Sequence, residues 1–373
     1  MENISRQAGV IENDHVKKWK AGGGKVLGYT CIATPVEYMT AAGVLPYRVR
    51  GLGNTDTDLA DASLSRFNCA FCRSCLQLGL DGTYDFLDGM IETNGCDHLR
   101  GMIENWAYEK PFDFFHYLRV PHVVDTDSSK FFLEELRLMR KSMEEFSGKE
   151  LSDEAIWSEI EKHDRIRSLL RKLYEIRERE NPGITGAEAL EIYLAATALP
   201  LSEFEKEFEN LVQERKDHKV EQGRARLMVG GSATDEVEFV REIEDVGGQV
   251  VTDMLCYGSR AFWPRSAQRQ GTPEEELANL YIDNLICPRM FDEFPKRKEF
   301  AFEAVERAKV DGVILVHNKF CDIHGVDNVQ LRMALEEKGV PVLQLEKEYG
   351  ARADLGRMRT RVQAFLERIG GGK

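Results

Sequence analysis

The sequence predicts an α/β protein in which two sheet-containing domains are joined by a helical segment. Short apolar runs alternate with amphipathic stretches in the first and last thirds of the chain, as expected when helices cover parallel strands. Between about residues 128 and 222, apolar residues recur at helical spacing among dense charges. With 373 residues, 42% of them hydrophobic, the chain is long enough to form two or three compact units.

The first domain is predicted over residues 1–127. Pro35 opens the first helix after a strand, and Pro121 closes an aromatic run, because proline suits helix starts and interrupts strands. The predicted elements are strand 25–29, helix 35–42, strand 47–50, a cysteine-rich helix at about 61–80, strand 86–91, a helix near 97–107 and the aromatic run 112–120.

Residues 128–222 are predicted to be helical, and residues 223–373 to form a second α/β domain. The second domain is predicted to contain strand 227–229, helix 235–246, strand 249–251, strand 313–316, helix 327–338, strand 340–343 and helix 357–369. The whole pattern is that of two Rossmann/flavodoxin-like domains with parallel sheets. Ligands of such sheets bind beyond the carboxyl ends of the strands, so we expect the functional residues there.

The charge balance excludes some classes of partner. Fifty basic and 64 acidic residues give a net charge of -14, which disfavours nucleic acid as a partner. No apolar run approaches the roughly 20 residues of a membrane-spanning helix, and the N-terminus lacks the apolar core of a signal peptide. We therefore expect a cytoplasmic protein with no membrane partner.

Eight cysteines are the most informative residues. In a reducing compartment they indicate metal or redox chemistry before disulfides. Four of them follow predicted strands, and three more occupy every third position of one predicted helix; in chain order these seven are Cys31, Cys69, Cys72, Cys75, Cys96, Cys256 and Cys321. Any single one is equally well interpreted as a buried apolar side chain.

Alternative cysteine chemistries remain at this point. A bacterial ferredoxin motif fails because Gly79 and Leu80 occupy its last two positions. A structural zinc site is disfavoured because no second paired motif is present. A thiol-redox pair at Cys69 and Cys72 stays possible.

Nucleotide-binding motifs are absent, and two polar side chains are candidates for proton transfer. Gly-rich segments lack the Walker and dinucleotide spacings, and Gly230-Gly231-Ser232 is only a weak indication of a phosphate site. Glu37 and His98 lie on predicted helices just after strand ends, where they could move or hold a proton.

The chain resembles the 2-hydroxyacyl-CoA dehydratase and benzoyl-CoA reductase family. The matching segments occur in the expected order over nearly the whole chain: Thr34-Pro35-Val36-Glu37, Ala41-Ala42-Gly43 with Pro46, the run 69–75, the run 84–89, Cys96-Asp97-His98, Lys319-Phe320-Cys321-Asp322 and the run 360–367. Ordered motifs over this length are far more specific than any one of them.

The resemblance implies an iron–sulfur enzyme subunit. In this family three cysteines of a catalytic chain hold a [4Fe-4S] cluster, and the matching residues here are Cys69, Cys96 and Cys321. It also implies a heterodimer with a related catalytic subunit, an acyl-CoA substrate, a separate activator that hydrolyses ATP, and ferredoxin as the upstream donor. The missing P-loop fits a chain that receives electrons.

The resemblance favours one of two reactions. The residues from Cys69 to Gly89 look most like the smaller catalytic subunit of ATP-dependent benzoyl-CoA reductase, which implies reduction of an aromatic acyl-CoA ring. The alternatives are a 2-hydroxyacyl-CoA dehydratase, a relative with a double-cubane cluster to which Cys287 could contribute, and a non-catalytic thiol-rich carrier.

Overall fold

Two four-stranded parallel sheets dominate the computed structural model. It describes residues 1–220, 225–263, 269, 271–350 and 352–370. The strand order is β2-β1-β3-β4 in one sheet and β6-β5-β7-β8 in the other, so the two sheets share one topology. The predicted α/β fold with two Rossmann/flavodoxin-like parallel sheets is confirmed.

The first sheet is built from four short strands between helices. Its strands are β1 (Val26–Tyr29), β2 (Leu45–Arg48), β3 (Gly89–Thr93) and β4 (Phe115–Leu118). The helices of this part are α1 (Glu2–Ala8), α2 (Asp14–Ala21), α3 (Glu37–Ala41), α4 (Ala60–Ser63), α5 (Ala70–Leu80) and α6 (Asp97–Glu109).

Four helices follow before the second sheet begins. They are α7 (Thr126–Ser147), α8 (Asp153–Arg177), α9 (Gly186–Ala196) and α10 (Leu201–Arg215). The second sheet consists of β5 (Ala225–Gly231), β6 (Gly248–Met254), β7 (Gly312–Asn318) and β8 (Val342–Lys347). Its helices are α11 (Val237–Asp245), α12 (Ser259–Phe262), α13 (Pro273–Ala278) with the π-helical turn Asn279–Asp283, α14 (Phe294–Arg307) after the 3-10 turn Phe291–Glu293, α15 (Asp322–Glu337) and α16 (Arg352–Gly370).

The predicted cysteine-rich helix is divided into two. A turn separates α4 from α5, in which Asn68 N–H donates to the Ser65 carbonyl. Cys69 therefore stands at the N-cap of α5 instead of inside a helix. As a result, the three cysteines of this stretch do not share one regular helix.

The segments pack into one another rather than standing apart. The largest buried cluster combines Leu45 of the first sheet, Leu169 of the helical segment and Val229 of the second sheet. The division at residues 128–222 and 223–373 stays a prediction, because this shared core does not mark where one unit ends. None of the helices in the described part of the chain combines the length and apolar surface that a membrane span requires.

Candidate functional site

The carboxyl ends of both sheets carry a cysteine at the same topological position. Cys96 follows β3 and Cys321 follows β7, and β3 and β7 are each the third strand of their sheet in chain order. Each cysteine is the N-cap of the next helix and is followed by an aspartate, Asp97 or Asp322. Two segments far apart in sequence thus place equivalent thiols at equivalent edges.

Cys69 brings a third thiol to this place. Hydrogen bonds with Cys321 and with Cys72 shift the pKa of its thiol. The charge of Cys96 raises the pKa of Cys72, and the charges of Cys69 and Cys321 raise that of Cys96. Here we call Cys69, Cys96 and Cys321 the cysteine triad. The structure places the three predicted ligands together, and it adds Cys72 beside them.

Hydrogen bonding and burial keep these thiols protonated in the absence of a ligand. The hydrogen bond from Cys321 lowers the pKa of Cys69, but the bond to Cys72 and burial outweigh it and raise that pKa to about 12. Burial raises the pKa of Cys96, and the hydrogen bond to Cys69 together with burial raises that of Cys321. Metal binding at these thiols would therefore release protons.

The backbone next to Cys321 has an unusual conformation. Phe320 has a φ of 66°, in the left-handed region that a bulky residue seldom adopts. A hydrogen bond with Ser232, the residue after β5, acts to lower the pKa of the Cys321 thiol. The close approach of β5 to β7 requires Gly231, because a Cβ there would lie 2.0 Å from the Val316 carbonyl. The Gly-Gly-Ser turn thus has a packing role, whereas the sequence pointed weakly to phosphate.

His98 connects all three cysteine segments. The Cys69 backbone N–H donates to His98 Nδ1 at 2.6 Å, and His98 Nε2 lies 3.0 Å from Asp322 Oδ2. Because a backbone N–H can only donate, Nδ1 must accept, which assigns the proton to Nε2. The predicted role of His98 in proton transfer stays a prediction, and this geometry supports a positioning role instead.

Glu37 lies in a different environment. It is fully buried, with Oε1 bonded by Arg167 Nη2 and Oε2 accepting from the Tyr281 hydroxyl at 2.8 Å. Burial is the largest single influence and raises its pKa, but the Arg167 charge and the other lowering interactions, including the hydrogen bonds from Arg167 and Tyr281, together outweigh burial, so the net pKa is lowered. No contact among the described residues joins Glu37 to the cysteine triad, and its role in proton transfer stays a prediction. The sequence did not single out its partners, because Arg167 and Tyr281 lie far from it in the chain.

The other cysteines fall into two groups. Cys75 is fully buried in the core around α5, and Cys256 offers only its backbone carbonyl, to Arg48. Cys31 and Cys287 influence one another electrostatically, and the Cys31 sulfur would lie 3.3 Å from a Cβ at Gly95, next to Cys96. This second pair of thiols therefore borders the triad.

Five arginines are candidates to hold the phosphates of CoA, namely Arg48, Arg50, Arg260, Arg265 and Arg289. The four that the structure describes are buried and donate to backbone carbonyls. Arg50 donates to the carbonyls of Leu194 and Val10, and Arg289 donates to those of Pro121, Asn94 and Val120. Arg260 donates to Gly231 and touches His324. Arg265 lies outside the described residues. These contacts join segments of the chain and leave the residues that hold CoA unassigned.

Three thiols from separate segments form a donor set that could hold an iron–sulfur cluster. Within the described residues, no group of three or more His, Cys, Asp or Glu side chains has the spacing that one metal ion requires. Ligands of one ion each lie about 2.3 Å from it, whereas each thiolate of a cluster binds a different iron and can lie further from the others. Soft thiolates from separate strand ends suit such a cluster.

Comparison with known proteins gives relatives over the full length. The chain is 27% identical over 366 residues to the (R)-phenyllactyl-CoA dehydratase beta subunit of Clostridium sporogenes, covering 96% of each protein. It is 25% identical over 339 residues to a benzoyl-CoA reductase subunit of Thauera aromatica, covering 88% of each. It is also 25% identical over 368 residues to the (R)-2-hydroxyglutaryl-CoA dehydratase beta subunit of Acidaminococcus fermentans, covering 94% of each.

The family itself is shown by a match that includes the second sheet, three of the four strands of the first sheet and the triad. The sequence model described as "2-hydroxyglutaryl-CoA dehydratase, D-component" matches residues 31–369. These residues include Cys69, Cys96 and Cys321 as well as His98. The named relatives are subunits of dehydratases and of a reductase. The chain belongs to the 2-hydroxyglutaryl-CoA dehydratase D-component family, as the sequence resemblance predicted.

Proposed function

We propose that this chain is the cluster-bearing catalytic subunit of an enzyme that acts on an acyl-CoA by one-electron chemistry. The observation that best supports this proposal is that Cys96 and Cys321, from the edges of the two sheets, lie close to Cys69 at the start of α5. When bound, an iron–sulfur cluster supplies single electrons to the acyl-CoA. The acyl-CoA is proposed from the names of the relatives.

The residues around the triad would fix the ligands and limit water. Ser232 orients the Cys321 thiol, and His98 ties the Cys69 backbone to Asp322. The Phe320 ring makes an edge contact with Phe67, at 5.5 Å between centroids, next to Cys321. Such neighbours of metal ligands set ligand orientation and solvent access.

Two reactions use this chemistry, and a specific observation favours each. The residues from Cys69 to Gly89 resemble the smaller subunit of benzoyl-CoA reductase, which was our sequence prediction. The family description and the names of the Clostridium and Acidaminococcus relatives favour dehydration of a 2-hydroxyacyl-CoA. Because each of the named relatives is described as a subunit, their names support a partner chain. An ATP-hydrolysing activator and ferredoxin complete the proposal.

Metal analysis tests the cluster. The chain would be purified without oxygen together with the products of neighbouring genes, and iron and acid-labile sulfide would be counted per chain. We expect about equal iron and sulfide in the wild type, and loss of both in Cys69→Ser. The control is Cys256→Ser, because Cys256 contributes only a carbonyl to the contacts described above. Zinc alone, or no metal, would overturn the proposal.

Turnover stoichiometry decides between the two reactions. The complex would be incubated with benzoyl-CoA or (R)-2-hydroxyacyl-CoA thioesters, ATP and a reductant. A reductase consumes ATP and reductant on every turnover, whereas a dehydratase needs them only for activation. Product accumulation far beyond the ATP hydrolysed would select the dehydratase, and a fixed ratio of ATP to product would select the reductase.

A further inference from the structure

A cavity of about 100 Å³ lies at the carboxyl edge of the first sheet, on the side of Glu37. Its walls come from the segment after β1, from the helices α8 and α9, and from the residues around Phe262 and Tyr281. None of the triad cysteines is among the described residues that line it. The cavity is therefore separate from the cysteine site.

Two residues that line it, Arg167 and Thr34, each carry a buried polar atom without a partner among the described residues. Arg167 Nη1 and Thr34 Oγ1 are shielded from solvent, and neither has a hydrogen-bond partner among the described residues. Arg167 as a whole is 8% exposed and Thr34 is 2% exposed. Buried donors of this kind are normally satisfied, so an unsatisfied guanidinium N–H beside a cavity points to a ligand within it.

The cavity also has an excess of positive charge. Arg167 is balanced by Glu37, but Arg48, which also lines the cavity, is not balanced by a carboxylate in the described part of the chain. Its hydrogen bonds go to the Thr30 and Cys256 carbonyls and the Tyr193 hydroxyl. Burial lowers the pKa of His163 to about 4, so this neighbouring ring is neutral at pH 7. The remaining charge favours an anion.

The rest of the wall is apolar and limits the size of the ligand. Ile32, Val36, Ile166, Leu170 and Leu199 line it. An engineered cavity of about 150 Å³ holds benzene, so a ligand of this smaller cavity has fewer than about six heavy atoms. An inorganic oxyanion would leave the apolar wall without a partner, whereas an aliphatic tail would cover it.

We propose that this cavity binds a short-chain carboxylate of the size of acetate or propionate. The carboxylate end faces Arg167 and Thr34, and the aliphatic end lies against Ile166 and Leu170. The site is a feature of this chain alone and does not depend on the cysteine triad, so it is tested on the chain with or without iron.

Isothermal titration of the full chain with formate, acetate, propionate and inorganic phosphate tests the proposal at fixed ionic strength. We expect one saturable site per chain, with propionate binding more tightly than formate because it buries more apolar surface. Carbon-13-labelled propionate provides a second readout, since its carboxylate signal should shift and saturate with the same dissociation constant.

Three variants alter the site in different ways. The charge-matched double variant Glu37→Gln/Arg167→Gln removes the guanidinium, and Ala196→Leu fills the cavity; each should weaken propionate binding at least about tenfold. Thr34→Val keeps the side-chain size and removes a hydroxyl, so we expect a loss of several-fold. The control is Glu134→Gln/Arg137→Gln, an exposed ion pair on α7 that should leave binding unchanged.

Some results would overturn the proposal. One is the absence of saturable binding by any of the carboxylates, and another is equal binding by Ala196→Leu, Thr34→Val and the wild type. If phosphate raised the stability of the chain as much as propionate does, the effect would be a general effect of ions and not binding in this cavity. If the double variant does not fold, Ala196→Leu and Thr34→Val still decide the matter.

Discussion

The two sheets share one strand order but use their third strands differently. Cys96 and Cys321 each lie three residues past the strand end, and each begins a helix. The Cys96 sulfur accepts from the Leu99 N–H at 3.4 Å and so caps its helix. The Cys321 side chain makes no capping hydrogen bond of this geometry. The His324 N–H contributes only weakly to the pKa of its thiol, and Cys69 and Ser232 contribute more.

The residues after these cysteines also differ. Two positions beyond Cys96, His98 reaches across to the Cys69 backbone and to Asp322. Three positions beyond Cys321, His324 is buried against Arg260. None of the hydrogen bonds described for the His324 side chain reaches the first sheet. The same topology thus gives two different local structures. The segment after the third strand of the first sheet carries a thiol that caps a helix, whereas the segment after the third strand of the second sheet has a strained backbone and a thiol that interacts with another cysteine. Equivalent placement does not impose equivalent contacts.

Replacing each third-strand cysteine gives the largest expected effect. We expect Cys96→Ala and Cys321→Ala each to lose nearly all bound iron, because each removes one of three thiolates. Only Cys96→Ala should also lower the free energy of unfolding of the iron-free chain, by about 1 kcal/mol, because it removes a helix cap. Iron analysis and urea unfolding measure the two effects. Full iron retention by either variant would contradict the idea that both sheets contribute ligands.

The buried charge after the first strand of each sheet gives a second comparison. Glu37 pairs with Arg167 from the helical segment, whereas Asp235, after β5, accepts from the Gly51 and Leu52 N–H groups of the first domain. We expect Arg167→Met to lower the free energy of unfolding by about 3–5 kcal/mol, since it leaves a buried carboxylate unpaired. The double variant Glu37→Gln/Arg167→Met should lose much less.

This pair also predicts an acid dependence. Although burial raises the pKa of Glu37, the charge and hydrogen bonds of Arg167 and its neighbours together lower it below the unfolded value, so these interactions stabilise the fold at neutral pH. That contribution is lost as the pH falls below about 4.3 toward the folded pKa. Urea unfolding from pH 7 down to pH 3 would follow it, with Arg137→Met, at an exposed site, as the control. An acid limb unchanged in Glu37→Gln would contradict this assignment.

Much of this arrangement was predictable from the sequence, and some of it was not. Strand patterns predicted the sheets, because apolar runs and strand ends are local properties. The set Cys69, Cys96 and Cys321 came from the family resemblance, and only Cys96 and Cys321 of the three follow predicted strands. The position of Cys69 at a helix N-cap was missed, since the Ser65–Asn68 turn inside an apolar stretch resembles a continuous helix. The partners of Glu37 were also missed, because pairing across the fold leaves no local pattern.

The histidine link gives a smaller effect. We expect His98→Ala to speed the loss of iron to a chelator and to lower iron affinity about 10- to 100-fold, as removal of a ligand's neighbour usually does. Asp322→Ala should have a weaker effect, since Asp322 is largely exposed. Asp97→Ala is the matched control from the first sheet, because the ion pair described for Asp97 is with Arg100 on its own helix. If Asp322→Ala and Asp97→Ala lost iron equally, the hydrogen bond between His98 and Asp322 would have no role in holding iron.

The last comparison concerns the residue four positions before each third-strand cysteine. In the second sheet it is His317, which contacts Glu346 and the Cys321 carbonyl, whereas in the first it is Glu92, 1% exposed. Neither carboxylate oxygen of Glu92 has a hydrogen-bond partner among the described residues. Burial, helped by the charge of Glu104, raises its pKa to about 8. The folded state therefore holds this proton more tightly than the unfolded state does.

A raised carboxyl pKa makes the folded state less stable as the pH rises from about 4.3 to about 8. Glu92→Gln removes that titration, so at pH 8.5 it should unfold with a free energy higher than the wild type by several kcal/mol, about 5 kcal/mol at most, and at pH 4.5 with nearly the same value. Urea unfolding at both pH values measures the difference. Glu104→Gln, on the exposed face of α6, should change it only slightly. A wild-type stability that stays level from pH 5 to pH 8 would mean that Glu92 is ionised in the fold, and that the third strands differ in sequence but not in charge.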